Sequence, residues 1–186
     1  DVRFALAEAL FRMGQTEEAV DLLHAAQTYW QAAPERHAER LLTSRMLQSQ
    51  LERQRGEVEL GIQTLEASLE HRLRRSGEED FETAALLTNL GAAYIQSGRI
   101  DDGIATSQRA MALWRALRLD AGNDALNTLN NLAAAYFRNG DLDQAATHFQ
   151  MALAIRRAAF GPSAATAALI GNHARVLQAR GDVAGA

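Results

Sequence analysis

The sequence predicts an all-α fold, a right-handed superhelical solenoid of antiparallel helix pairs, on three observations. Glycines recur at a fixed period: Gly14, Gly56, Gly98 and Gly140 stand 42 residues apart, and Gly181 follows 41 beyond. A period in this range marks stacked repeats. Small residues keep the same register. Seven before each glycine stands Ala7, Ser49, Gly91, Ala133 or Ala174, five after it Ala19, Gly61, Gly103, Ala145 or Ala186, and twelve after it Ala26, Ser68, Ala110 or Ala152. Such residues let two helices approach closely. Third, apolar residues recur at helical spacing and not by alternation, so strands are not expected.

The elements follow in order. Helices are expected over roughly 2–13 and 16–31, 37–54 and 57–75, 80–97 and 100–118, 123–139 and 142–159, with a ninth over 164–180. Each periodic glycine ends the first helix of a pair in a left-handed conformation. Glu17, Glu18, Asp101, Asp102, Asp141 and Asp143 fall in first turns of second helices, and Arg72, Arg74, Arg75, Arg115, Arg118, Arg156 and Arg157 near last turns. Both placements complement the helix dipole. Asp141 and Gln144 have capping-box spacing. The expected organisation is one array over 1–186, with repeats at about 1–36, 37–78, 79–120, 121–162 and an incomplete 163–186.

Four residues before the glycine, Leu10, Tyr94, Tyr136 or Leu177 fills space beside the small residues, but the second repeat has Glu52 there, with Gln48 one turn earlier. A one-residue register shift or an irregular helix over 41–55 would accommodate them. Trp30 and Trp114 both lie sixteen after a periodic glycine. They read as packing between repeats, not as stacking platforms for bases.

Composition narrows the function classes. The net charge of −4 and pI of about 5.7 argue against a nucleic-acid surface. No apolar run approaches the ~20 residues that span a bilayer, and no N-terminal stretch has the parts of a signal peptide. Cysteine is absent, which fits a reducing compartment and a cytoplasmic location. All 19 basic residues are arginine, a composition that fits a GC-rich bacterial genome. Asp1 at the start and "GDVAGA" at the end read as cuts from a larger protein.

Chemistry finds little support. His24, His37, His71, His148 and His173 form no zinc-protease pair. No glycine-rich loop would cradle a phosphate, and serine-nucleophile signatures are absent. No catalytic residue, metal or cofactor is expected.

"LGAAYIQSGRIDDGIATSQRAMAL" and "LAAAYFRNGDLDQAATHFQMALAI" resemble the tetratricopeptide repeat. The 42-residue period, the "LNNLA" segment and the "FGP" at Phe160 to Pro162 are similar to the kinesin light chain type. The resemblance covers essentially the whole chain and is strongest from Phe81 to Pro162. It implies a non-catalytic scaffold that binds a protein or extended peptide in a concave groove lined by first helices, as the interaction region of a larger bacterial signalling protein. Nine before the glycine, three successive repeats carry Asn89, Asn131 and Asn172. Equivalent positions form a ladder along a superhelix, and a primary amide can pair with both peptide C=O and N–H. The resemblance implies that role for these three. Thr88, Asn127, Asn130, Arg138, Arg175, Gln178 and Gln96 are the neighbouring groove positions, with Arg138 and Arg175 suited to a carboxylate. Two other roles for the asparagines stay open: bonding between repeats, and simple solvation.

An alternative function is self-association. Nothing comparable to the helix after Gly140 follows Gly181, so Leu169, Val176 and Leu177 are expected to keep apolar surface exposed. A homo-oligomer through this C-terminal edge, or a further helix supplied beyond residue 186, would cover it.

Overall fold

The computed structural model describes residues 2–76 and 80–182. Among them are nine α-helices and no strand: α1 (Val2–Arg12), α2 (Thr16–Gln31), α3 (Ala38–Gln54), α4 (Val58–Ser76), α5 (Phe81–Ser97), α6 (Ile100–Ala116), α7 (Asn123–Arg138), α8 (Leu142–Phe160) and α9 (Ala164–Arg180). Every end falls within two residues of its expected place.

One turn geometry is repeated five times. Gly14, Gly56, Gly98, Gly140 and Gly181 have φ of +78, +86, +90, +81 and +80°, a region glycine enters without steric cost. The N–H of the following residue donates back over the turn: Gln15 to Leu10, Glu57 to Glu52, Arg99 to Tyr94, Asp141 to Tyr136 and Asp182 to Leu177, each at 2.9 Å. This closure satisfies a carbonyl the helix end would otherwise leave open. It also fixes where the second helix begins, and hence which small residues meet.

The chain divides into two compact units, Asp1–Arg75 and Ser76–Ala186. In the first, Ala7, Ala19, Leu23, Leu47 and Leu51 form a core against which Phe4, Leu10 and Phe11 pack. Ser49 Oγ donates to the Gly61 carbonyl at 2.8 Å, joining α3 to α4. A Cβ on Gly61 would stand 2.7 Å from Arg53 Cγ and 2.9 Å from the Ser49 carbonyl oxygen, so a larger residue would force the helices apart. Burial lowers the Arg53 pKa from its ordinary value, since desolvation disfavours the charged form.

In the second unit, α5 packs on α6 and α7, α7 on α8, and α8 on α9. Trp114 of α6 is buried, and its Nε1 donates to Thr88 Oγ1 at 3.1 Å and Thr128 Oγ1 at 3.2 Å. One indole thus ties three helices together, the packing role the sequence assigned it.

Two expectations are corrected. α3 runs unbroken through 41–55. Gln48 and Glu52 need no shift, because side chains of α2 and α4 satisfy them: Gln27 Nε2 donates to Gln48 Oε1 at 3.0 Å, Gln48 Nε2 to Glu52 Oε1 at 2.8 Å, and Thr64 Oγ1 to Glu52 Oε2 at 2.9 Å. At the other end, Leu169, Val176 and Leu177 are only 7%, 1% and 8% exposed. They belong to the face α9 turns inward where it packs on α8, and Ile170 lies outside at 42%.

Candidate functional site

A recess with polar lining lies in the second unit, where the first helices α7 and α9 flank a cavity of about 210 Å³. α7 supplies Leu126, Asn127 and Asn130, α9 supplies Ala165, Ala168, Leu169 and Asn172, and α8 contributes Arg156. Helical spacing explains the grouping, since residues three and four apart share a face. The start of α9 is set by Ser163, whose Oγ accepts from the Thr166 backbone N–H at 3.2 Å. That cap places Ala165 and Ala168 on the wall, where small side chains leave the recess open. Leu126 and Leu169 are buried beneath it.

The polar groups differ in how far they are committed. Asn127 is exposed, and Asn130 and Asn172 are half-buried. Their side-chain amides make no hydrogen bond among the described residues. Arg156 is partly tied: Nη1 donates to Asn123 Oδ1 at 3.1 Å, and the guanidinium lies 5.2 Å from the Phe160 ring centroid. Its Nε is buried without a partner among the described residues. A buried donor left unmade costs about 1–3 kcal/mol, so a ligand acceptor there would be favoured.

The other expected groove residues are scattered. Asn131 is half-buried and free of hydrogen bonds among the described residues, but does not line the cavity. Asn89 donates from Nδ2 to the Ala85 carbonyl of its own helix at 3.0 Å. Thr88 is corrected: it is buried under Trp114 and shares a 2.7 Å hydroxyl contact with Thr128, so it faces no groove. Its short side chain and hydroxyl serve the helix junction. Arg138 Nη1 donates to the Ile95 carbonyl near the end of α5, tying α7 to α5. The Arg175 guanidinium lies 5.9 Å from the Phe137 ring centroid. Gln96 and Gln178 are exposed.

Arg156 was missed as a site residue. The sequence offers Arg156 and Arg157 as equivalent last-turn cations, and only the packing of α8 turns one inward. Among the described residues no group of His, Asp and Glu is placed to hold a metal, and no helix is long and apolar enough to cross a membrane.

Tetratricopeptide repeat family models match residues 124–186 and 1–25. No curated protein matches in sequence. Solved structures match in fold. BtubC (BKLC) from P. vanneervenii aligns with a TM-score of 0.82 at 21% identity, over 97% of this chain and 72% of that one. A Podosopora anserina putative kinesin light chain with nearly identical TPR-like repeats aligns at 0.77 and 22% identity, over 98% and 87%. A variant of that protein aligns at 0.78 and 22%, over 98% and 86%. The repeat register, the five equal turns and these matches agree: the chain carries tetratricopeptide repeats over the matched residues, and its all-α fold is similar to that of kinesin light chain-type repeats.

Proposed function

We propose that the second unit holds an extended segment of a partner protein in the cavity between α7 and α9, as a non-catalytic scaffold. Tetratricopeptide repeats generally serve protein–protein interaction, and three uncommitted amides lining one recess carry this reading further. Asn127, Asn130 and Asn172 offer both acceptors and donors, which suits a peptide backbone of any sequence. Arg156 adds a donor for a carbonyl or carboxylate, and the alanine wall admits the chain. Asn131 and Arg175 extend the same helices as flanking contacts. The arginine-only basic composition and the absence of cysteine support a place in the cytoplasm of a bacterium, within a larger signalling protein. Self-association loses its argument, because the apolar residues expected at the C-terminal edge are buried.

The test is a peptide selected on the intact chain from a random library. Asn130→Ala and Asn172→Ala should each raise its Kd about 5–30-fold, the loss of one or two net hydrogen bonds. Their thermal midpoints should stay unchanged, since neither amide has a partner to strand. Asn131→Ala should act in the same direction by less. Peptides that bind all three variants as tightly as the parent would refute this site.

A further inference from the structure

We propose that a second cavity, between α2, α3 and α4 in the first unit, receives an arginine side chain of a partner protein, with Glu52 as its anchor. The cavity measures about 220 Å³. Val20, Leu23, Leu51 and Leu60 form its apolar walls, and His24, Gln27, Gln48, Glu52, Arg55 and Glu57 its polar part. The volume is several times the ~30 Å³ share of a water molecule and below the ~300–1,000 Å³ of small-molecule sites. It suits one long side chain.

Glu52 gives the pocket its sign. The residue is 8% exposed and, among the described residues, its carboxylate accepts from neutral donors, Gln48 Nε2 at 2.8 Å and Thr64 Oγ1 at 2.9 Å. A carboxylate has about four acceptor positions, so roughly half remain open. Arg55 at the mouth does not supply the missing charge. Its Nε lies 3.4 Å from Glu17 and 3.8 Å from Glu57, and Glu52 has no ion pair among the described residues. A buried carboxylate without a cation is costly.

The fold does not demand one here. The same register position holds Leu10, Tyr94, Tyr136 and Leu177 in the other repeats. Two repeats on, Tyr136 lines the corresponding recess, stacks on His148 at 5.2 Å and accepts from Gln108 Nε2 at 2.9 Å. That recess is the larger of the two, about 450 Å³, and its register position holds an aromatic ring with a neutral donor. In the first unit a buried carboxylate stands where the ring would be.

Arginine fits better than lysine. Its stem can lie along the apolar walls, and its planar fork can use both carboxylate oxygens at once. Glu57 at the mouth adds attraction on approach. The site is separate from the α7–α9 cavity, and either can fail alone.

Titration of the intact ¹⁵N-labelled chain with N-acetyl-arginine amide tests it, with the isosteric neutral N-acetyl-citrulline amide as control. The arginine compound should shift the side-chain amides of Gln27 and Gln48 and the backbone amides of Leu51, Glu52 and Leu60, saturably at millimolar concentration. The citrulline compound should not. Glu52→Gln keeps the shape and should weaken binding about tenfold or more. Should that variant unfold, Leu60→Trp decides, because it blocks the mouth and keeps the carboxylate; it should also abolish the shifts. No saturable shift, an equal response to citrulline, or parental binding by either folded variant overturns the proposal.

Discussion

Trp30 and Trp114 occupy one register position, 84 residues apart, in the first and second units. Both are 1% exposed, and both meet a phenylalanine edge-on, Phe4 at 5.6 Å and Phe81 at 5.2 Å. They differ at one atom. Trp114 Nε1 finds Thr88 and Thr128, whereas Trp30 Nε1 is buried with no partner among the described residues. The register explains the difference: where the second unit has Thr88 and Thr128, the first has Phe4 and Ser44. Phe4 offers no acceptor, and Ser44 Oγ is engaged with Gln27 and the Leu41 carbonyl. Equal burial therefore does not mean equal stabilisation, because the unmade hydrogen bond subtracts from what the indole area contributes.

Substitutions can break that comparison or sharpen it. The largest effect should come from Trp114→Ala, which removes a buried indole from the junction of α5, α6 and α7. A loss of about 3–5 kcal/mol is expected, read as denaturant midpoint and as hydrogen-exchange protection lost first in α5–α7. A smaller contrast is more telling. Trp114→Phe should cost about 1–2 kcal/mol through its hydrogen bonds and some packing, while Trp30→Phe should cost clearly less, since no bond is lost. Equal losses in the two melts would mean that Trp30 Nε1 is satisfied after all. The smallest effect concerns helix starts. Gln15 and Asp141 hold equivalent positions with nearly the same backbone, φ −84, ψ 71° and φ −83, ψ 79°. Only Asp141 caps its helix, accepting from the Gln144 N–H at 3.1 Å. Gln15→Ser would complete a capping box with Glu18 and should raise stability by about 0.5–1 kcal/mol, visible as a higher thermal midpoint.

The fold was legible because its signals are local and repeated. Gly98 and Gly140 mark helix ends whatever surrounds them, and Gly91 against Gly103 needs only the register to be recognised. The site was less legible, because it depends on which partner each side chain finds in three dimensions. Asn89, Asn131 and Asn172 share a position in the sequence, yet Asn89 bonds its own helix and only Asn172 lines the cavity. Thr88 looked like a surface neighbour of Asn89 until Trp114 was seen to cover it. Glu52 looked like a flaw in α3, although Gln27, Gln48 and Thr64 had been placed to receive it. Side chains from other helices decide such cases, and periodicity carries no information about them.

The helix contacts also bear on how quickly order can form. In the first unit α1 meets α2 and α3, and in the second α5 meets α6 and α7, so partners are neighbours or next neighbours in the chain. Even the bond from Arg138 to the Ile95 carbonyl spans only 43 residues. Closing short loops costs little entropy, and chains dominated by such contacts fold in microseconds to milliseconds. Nucleation can begin at any well-made pair and spread to the next, so a lesion such as Trp114→Ala should delay its own neighbourhood while helices farther along the chain still assemble at their usual pace.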